Sequence, residues 1–262
     1  MTKKILRSVW LGIVLLFMYL PILILAVYSF SDTATIGTSG NFSTMNYVNL
    51  FTSPELLGMI GGTFALAFGS AFIATVLGTI GAIGAFYSRR TPSRLIGLAN
   101  QVPVVNADVV TGFSICVLLI VVLGINKDTF VPLVIGHVAL ASPFVYLSVV
   151  PKLKQMDNSI YEAALDLGAN ARQALFKVVI PQLIPGIVSG FLLAVTLSLD
   201  DYFITTYTKP ATFDTISTYV VNATKGSHTE TKTALWALST VLFVVILAVV
   251  IGGNVLSGRK AG

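Results

Sequence analysis

Six long apolar runs, separated by short polar segments, determine what this chain can fold into. Their approximate limits are Val9 to Phe30, Gly61 to Tyr87, Val102 to Gly124, Phe130 to Val150, Gln182 to Phe203 and Ala234 to Leu256. A helix needs about 20 apolar residues to cross a hydrocarbon layer of about 30 Å. Charged residues make up 10% of the chain, against roughly 25% in soluble domains. The runs predict an all-α integral membrane protein with six transmembrane helices, and residues 1–262 form a single polytopic domain.

The first apolar run follows a short basic segment, so a secretory signal peptide is the competing interpretation. A signal peptide has an apolar core of about 7–15 residues followed by a small-residue cleavage site. This run is longer, and Ala26-Val27-Tyr28 does not supply such a site. We therefore expect an uncleaved first span.

The distribution of Lys and Arg predicts the orientation. With a cytoplasmic N-terminus, the inside segments hold Lys3, Lys4, Arg7, Arg89, Arg90, Arg94, Lys152, Lys154, Arg172, Lys177, Arg259 and Lys260. The outside segments then hold Lys127, Lys209, Lys225 and Lys232. Because basic residues accumulate on the cytoplasmic side, both termini and segment 152–181 are predicted to be cytoplasmic. Orientation thereby accounts for the net charge of +5, which gives no indication of nucleic-acid binding.

A polar, amphipathic insert lies between the fourth and fifth runs. Ser159 and Glu162 have the spacing of a capping box, which would start a first short helix. Gly168 suits the left-handed turn that closes a helix. The pattern predicts a helix followed by a tight turn.

A second helix is predicted directly after that turn. Asn170 has Gln173 three residues later, the pattern of a capped helix start. We expect this helix to run until Pro181 and Pro185 break it. The insert as a whole is thus a helix, a turn and a second helix.

The same insert contains EAA at residues 162–164, then Gly168, then VVIP at residues 178–181. This spacing resembles the EAA loop of permease subunits of binding-protein-dependent ABC importers. The family usually has Ile-x-Leu-Pro where this chain has VVIP, so one apolar residue replaces another. A capped cytoplasmic helix of another polytopic protein would explain the caps, but not the alanine pair and the proline at that distance.

The resemblance implies a fold, a coupling site and partners. The fold is that of a type I ABC importer permease, with a core of about residues 58–256 and a cytoplasmic coupling loop of about residues 152–181. The first helix of that loop would dock into a groove on the ATPase subunit. The residues implied in this coupling are Glu162, Ala163, Ala164 and Gly168. The implied partners are a second permease subunit, two copies of an ATPase subunit and an external substrate-binding protein, at a bacterial cytoplasmic (inner) membrane.

Three carboxylates in the predicted spans are candidates for the substrate pathway, because a charge in hydrocarbon costs several kcal/mol unless it faces a polar cavity. Asp200 and Asp201 lie about 22–24 Å from Pro185 at 1.5 Å per residue. Asp108 would lie roughly 9 Å inside the third span. The same rise per residue makes the depths differ by more than ~10 Å. We therefore expect that Asp108 and the Asp200–Asp201 pair do not hold one ammonium group together. The alternatives are a solvated interface for the pair and a structural hydrogen bond for Asp108.

The surroundings of these acids favour a cationic solute. The stretch Asp200 to Phe203 places paired carboxylates beside aromatic rings, a combination that binds alkylammonium groups. The chain resembles spermidine/putrescine importer permeases over nearly its whole length. The resemblance is carried by SLDDY at 198–202 with TKP at 208–210, and by Asn46-Tyr47 with Leu50-Phe51. The resemblance implies a polyamine, and another small solute in the same importer class is the alternative. The pathway candidates are Asp108, Asp200, Asp201 and Tyr202.

Nothing in the sequence predicts catalysis or a bound cofactor. It has no phosphate loop of the form Gly-x-x-x-x-Gly-Lys-Ser/Thr, and the two histidines, His137 and His228, are too far apart and too isolated to suggest a metal site. Cys116 is the only cysteine, so no internal disulfide is possible. We expect ATP and Mg²⁺ to bind the partner ATPase. A gradient-driven transporter using Asp108 and Asp200 is a second hypothesis, opposed by the lack of a detectable internal repeat. A membrane enzyme is a third, and no nucleophile, base or metal cluster supports it.

Small and polar residues inside the runs predict how the helices pack. The second run carries a helix-interface pattern of small residues, namely Gly78, Gly81, Ala82 and Ala85. Pro143 predicts a kink or an unwound turn in the fourth span. His137 is expected to be a packing histidine with its polar atoms satisfied, in preference to a ligand contact.

Overall fold

A computed structural model describes residues 2–33, 40–157, 159–225, 235–241 and 243–244. The helices are α1 (Thr2–Tyr28), α2 (Met45–Thr52), α3 (Pro54–Tyr87), α4 (Arg90–Val105), α5 (Asp108–Cys116), α6 (Val131–Gln155), α7 (Ser159–Asp166), α8 (Ala171–Ala174), α9 (Ile180–Asp200), α10 (Phe203–Thr208) and α11 (Ile216–Lys225). A π-helical stretch, Val117–Val122, extends α5, and another, Leu175–Val179, joins α8 to α9. Over the described residues, the prediction of an all-α protein is confirmed.

Four described helical segments are long and apolar enough to cross a membrane: Arg7–Tyr28, Pro54–Tyr87, Val131–Gln155 and Ala171–Asp200. Helices α4 and α5 add a fifth only if this bent pair is counted as one span. The predicted sixth span, Ala234 to Leu256, lies mostly outside the described residues. His228, Lys232, Arg259 and Lys260 lie outside them as well.

The chain divides into two compact units, and the first comprises residues 1–58 and 220–262. In this unit the segment after α1 is held by the buried side chain of Asn46. Its Nδ2 donates to the carbonyl oxygens of Ser29 and Ser31, both at 2.8 Å. The Tyr47 hydroxyl lies 2.7 Å from Ser29 Oγ. Because these bonds satisfy backbone groups beyond the helix end, they fix where the chain turns after α1.

Helix α6 is central to the second unit, residues 59–219. A Cβ added at Gly78 of α3 would lie 2.7 Å from Val145 Cβ and 2.8 Å from the Ser142 carbonyl oxygen. A Cβ added at Gly190 of α9 would lie 3.2 Å from Val145 Cα. Both neighbours therefore approach α6 at backbone distance, as small residues permit. Gly78 and Gly81 face α6, and Ala82 and Ala85 are buried, which confirms the predicted helix interface.

Pro143 does not unwind α6, which is α-helical from Val131 to Gln155. Of the two predicted alternatives, the unwound turn is therefore wrong, and the kink stays a prediction. Pro143 and Val145 are both buried against neighbouring helices. Packing of this kind lets a membrane helix continue through a proline, because neighbouring groups compensate for the lost hydrogen bond.

The predicted end of the second loop helix at Pro181 and Pro185 is also wrong. Helix α8 continues through the π-helical stretch into α9, so that residues 171–200 form one helical run. Proline lacks an N–H and leaves a carbonyl unbonded one turn earlier. The wider π turn directly before Pro181 accommodates this mismatch. The polar insert is thereby continuous with a membrane span.

Gly78→Ala is expected to lower the free energy of unfolding by about 1–3 kcal/mol, because the added methyl group overfills the contact with α6. The matched control is Gly84→Ala on the same helix, where an added Cβ meets nothing within 4 Å. Alanine has the higher helix propensity, so the control should keep or raise the melting temperature. Thermal unfolding of both purified variants measures the difference, and equal melting temperatures would contradict the backbone contact.

Candidate functional site

Two helix interruptions lie side by side in the second unit. The chain bends by 110° between Arg90–Val105 and Asp108–Val122. It breaks again between the end of α9 at Asp200 and the start of α10 at Phe203. Helix α10 packs closely on α5, since a Cβ added at Gly112 would lie 3.1 Å from the Ile204 nitrogen. The two breaks therefore belong to one packed region.

A cavity of about 450 Å³ opens at these breaks. Its polar lining comes from Asp108, Thr196, Asp200, Asp201 and Tyr202. Its apolar lining comes from Leu140, Phe144, Leu197 and Phe203. Interrupted helices that meet at a cavity are a common way to build a solute site in a membrane protein, because the freed backbone groups face polar space.

The sequence predicted that Asp108 lies within a continuous third span, and this prediction is wrong. Helix α4 ends at Val105, and Asp108 occupies the first turn of α5. The Asn106 side chain donates to Thr111 Oγ1 at 3.1 Å across the bend. That Asp108 and Asp200 do not hold one ammonium group together stays a prediction, but both line the same cavity, which the predicted difference in depth did not anticipate. That difference assumed straight spans, and this one is bent.

Asp200 and Asp201 are adjacent but differ sharply in environment. Asp200 is exposed where it lines the cavity, whereas Asp201 is 8% exposed. The Asp201 carboxylate accepts hydrogen bonds from the backbone N–H of Ile204 at 3.2 Å and of Thr205 at 2.7 Å. It also accepts one from the Thr205 hydroxyl at 2.8 Å. Asp201 thus caps the start of α10, and Asp200 presents its charge to the cavity.

His137 lies fully buried behind the second break. Its Nδ1 is 2.7 Å from Ser198 Oγ, and its Nε2 is 3.0 Å from Thr205 Oγ1. The Nε2 atom is also 3.7 Å from Asp201 Oδ2. The prediction of a satisfied packing histidine is confirmed, because both ring nitrogens have hydroxyl partners.

Aromatic rings accompany the acids at the cavity. The half-buried Tyr202 lies edge-on to Phe203, with ring centroids 5.2 Å apart. Phe144 from α6 also reaches the lining. Ring faces attract ammonium groups, so this wall suits a cation with an alkyl chain.

The predicted coupling loop forms as a helix, a turn and a helix. Gly168 has a φ of 86°, which confirms the left-handed turn. Asn170 and Gln173 form a reciprocal capping box at the start of α8, also as predicted. Glu162 and Ala163 are exposed on α7, while Ala164 is half-buried.

Helix α7 begins differently from the prediction, since Ser159 is its first residue and not its cap. The Asp157 carboxylate accepts a hydrogen bond from the Ser159 N–H at 2.9 Å. This bond, together with one from the Ser159 side chain, holds the pKa of Asp157 below its usual value. The cap is therefore present when Asp157 is ionised, and it is lost as the pH falls through that lowered pKa.

Sequence reasoning missed Asn106 and the hydroxyl partners of His137. Asn106 lies two residues before Asp108, and an Asn or Asp ahead of an apolar run is a helix-start signal that could have indicated the bend. Ser198 and Thr205 are 61 and 68 residues from His137. No local signal in the sequence connects residues so far apart.

Comparison with known proteins places this geometry in context. The family described as "Binding-protein-dependent transport system inner membrane component" matches residues 79–261. A putrescine transport system permease protein, PotI of Escherichia coli K12, is 32% identical over 78% of this chain and 75% of its own length. A spermidine/putrescine transport system permease protein, PotC of Haemophilus influenzae, is 29% identical over 99% of both chains.

Solved structures show a likeness in fold. A bacterial ABC transporter involved in the import of the acidic polysaccharide alginate matches with a TM-score of 0.66 and 20% identity, over 96% of both chains. An amino acid ABC transporter matches with a TM-score of 0.53 and 19% identity, over 81% of this chain and 98% of that one. Since these two proteins handle chemically different solutes, the shared fold does not by itself indicate what is carried.

Proposed function

The chain belongs to the family of binding-protein-dependent transport system inner membrane components, and from that premise we propose that it moves a polyamine through the cavity between its two helix breaks. Membership makes the chain a membrane permease subunit of an ABC importer, which works together with other transporter subunits. It also argues against the gradient-driven transporter and the membrane enzyme.

The single observation that carries the polyamine proposal is the chemistry of the cavity wall. Asp108 and Asp200 approach it from two separate helix breaks. Its lining includes no Lys or Arg among the described residues. The carboxylate of Asp201 also reaches the lining but is bonded to α10. The two remaining carboxylates suit a solute with two amino groups, and the rings of Tyr202 and Phe144 suit its alkyl chain. The names of the putrescine and spermidine/putrescine relatives support the same solute class.

The proposed complex has the composition implied by the coupling loop. This subunit pairs with a second permease, two copies of an ATPase that bind ATP and Mg²⁺, and an external polyamine-binding protein. The chain itself binds no cofactor in this proposal. It has six spans in a type I importer permease fold, with the sixth beginning near Ala234, and both termini lie in the cytoplasm.

Helix α7 is the proposed docking element for the ATPase. Its apolar side chains Ile160 and Leu165 and the following Leu167 are 39%, 38% and 89% exposed. Glu162, Ala163 and Ala164 lie on the same short helix, and Gly168 ends it. On its other side, Tyr161 contacts Tyr87 at the end of α3, with ring centroids 5.3 Å apart. A helix held on one side by Tyr161, with exposed apolar side chains and the exposed carboxylates of Glu162 and Asp166 on the rest of its surface, suits a partner groove.

The test of the proposal is transport by the complete complex in proteoliposomes. Putrescine and spermidine, presented with the cognate binding protein, should stimulate ATP hydrolysis and accumulate inside. Amino acids and acidic oligosaccharides should do neither. Stimulation by one of those solutes, with no response to polyamines, would overturn the solute assignment while leaving the permease assignment in place.

Asp200→Asn is expected to lower polyamine uptake about 5- to 30-fold, which corresponds to about 1–2 kcal/mol. The charge attracts a cation at about 4 Å with roughly 4 kcal/mol at an effective dielectric near 20, and desolvation offsets part of this. The asparagine amide has nearly the same shape as the carboxylate, so the loss of uptake would come from the lost charge and not from packing. Initial uptake rates at matched expression measure it, and Asp108→Asn should behave alike.

The matched control is Asp128→Asn, which removes an exposed carboxylate from the segment before α6. Uptake should remain at the wild-type rate. An equal loss in the control would mean that net charge is responsible and not the cavity. Wild-type uptake in both Asp108→Asn and Asp200→Asn would remove the cavity from the pathway.

A further inference from the structure

A chain of buried polar side chains connects four helices next to the cavity. Ser70 of α3 lies 3.2 Å from Ser198 of α9, and Ser198 lies 2.7 Å from His137 of α6. His137 in turn lies 3.0 Å from Thr205 of α10, whose hydroxyl donates to Asp201. The first four of these residues are at most 3% exposed. Of these residues only Asp201 belongs to the cavity lining, so the lining does not account for the other four.

The number of available hydrogens fixes the direction of the bond at His137 Nε2. Thr205 has one hydroxyl hydrogen, and the nearest acceptor that can only accept is the Asp201 carboxylate oxygen Oδ2 at 2.8 Å. The Thr205 oxygen can therefore only accept at its contact with His137. With Asp201 as the acceptor, we assign a hydrogen to Nε2, which donates it to Thr205, whichever way the bond between Nδ1 and Ser198 runs.

The break between α9 and α10 depends on this arrangement. Asp201 accepts the N–H groups of Ile204 and Thr205, which no earlier carbonyl within α10 can accept. The Thr205 hydroxyl holds one Asp201 oxygen, and His137 holds that hydroxyl. Asp200 directly precedes Asp201, so the direction of its side chain depends on how firmly the break is held.

We propose that His137 is a positioning residue: through Thr205 and Asp201 it fixes the helix break that presents Asp200 to the cavity. Its action on transport rests on the proposed function of that cavity, whereas its action on the geometry of the break does not. The group that matters is the Nε2–H donor, and a side chain that merely fills the space does not replace it.

Two matched pairs of variants separate donation from packing. Glutamine can place an amide N–H where His137 has Nε2, whereas asparagine reaches only the position of Nδ1. At position 205, serine keeps the hydroxyl and loses a methyl group, while valine keeps the shape and loses the hydroxyl. His137→Gln and Thr205→Ser thus preserve the hydrogen bonds from His137 through Thr205 to Asp201. His137→Asn and Thr205→Val interrupt them.

The geometry of the break can be measured without any solute. A cysteine introduced as Asp200→Cys in a Cys116→Ser background is labelled with a cationic methanethiosulfonate reagent in the assembled complex. Loss of one buried hydrogen bond of this kind corresponds to a change of roughly tenfold in a conformational equilibrium. The labelling rate should therefore change about tenfold with His137→Asn and Thr205→Val, and less than about twofold with His137→Gln and Thr205→Ser.

Uptake is measured separately, with Asp200 intact. The interrupting variants should lower the initial rate of putrescine uptake about as much as Asp200→Asn does, and the preserving variants should not. Equal labelling rates in all four variants would overturn the positioning role. Altered labelling together with wild-type uptake would keep that role and reject the cavity as the solute route.

Discussion

Gly168→Val is expected to reduce solute uptake about tenfold or more, while the subunit still inserts into the membrane. Gly168 has a φ of 86°, where a non-glycine residue is strained by about 1–3 kcal/mol and a β-branched one is least tolerated. An added Cβ meets nothing within 4 Å, so the strain comes from the backbone and not from a collision. Relief of the strain changes the turn after α7 and moves the helix away from its docking position. Uptake and solute-stimulated ATP hydrolysis of the reconstituted complex measure the effect.

The matched control is Gly168→Asn. Asparagine tolerates left-handed backbone angles better than other side-chain residues, so this variant should keep most of the activity. Membrane content is compared by quantifying each subunit before the assay. Normal solute-stimulated ATP hydrolysis in Gly168→Val would contradict the role of this turn in coupling.

The features that the sequence predicted correctly depend on neighbouring residues. Gly168 closes a helix because of its own backbone freedom, and Asn170 with Gln173 caps the next helix by contacts three residues apart. The small residues around Gly78 indicate a close helix contact from their spacing alone. In each case the pattern that indicates the feature lies within a turn or two of helix, which a single sequence displays.

The features that it missed depend on contacts between distant segments. The run from Val102 to Gly124 is apolar whether the helix is straight or bent by 110° at Asn106. Hydropathy alone therefore placed Asp108 on a straight span, away from Asp200. The difference between Asp200 and Asp201 likewise requires Thr205 and His137, and His137 comes from another helix.

A structural link between the coupling loop and the cavity follows from the corrected boundary at Pro181. Residues 171–200 form one helical run of 30 residues, which spans about 45 Å at 1.5 Å per residue. One end lies at the Asn170 cap, next to the turn at Gly168, and the other carries Asp200 to the cavity. The turn at Gly168 and the cavity residue Asp200 are therefore joined by helix, without a flexible connection between residues 171 and 200.

Asp201→Ala is expected to lower the free energy of unfolding by about 2–5 kcal/mol, because two buried N–H groups and the Thr205 hydroxyl lose their acceptor. The measurement is thermal unfolding of the purified subunit or complex, followed by recovery of assembled complex. Asp201→Asn keeps one carbonyl oxygen but turns an N–H₂ group toward backbone donors, so its loss of stability should be intermediate.

The neighbouring Asp200→Ala provides the control, because Asp200 is exposed and lines the cavity. Its melting temperature should match the wild type, with a change within about 0.5 kcal/mol, although uptake falls. The two assays would then distinguish the adjacent acids: replacing Asp201 lowers the melting temperature, and replacing Asp200 lowers uptake. Equal melting temperatures for Asp201→Ala and Asp200→Ala would show that the carboxylate does not hold α10. In that event the uptake rate of Asp201→Asn would decide whether its carboxylate faces the solute together with Asp200.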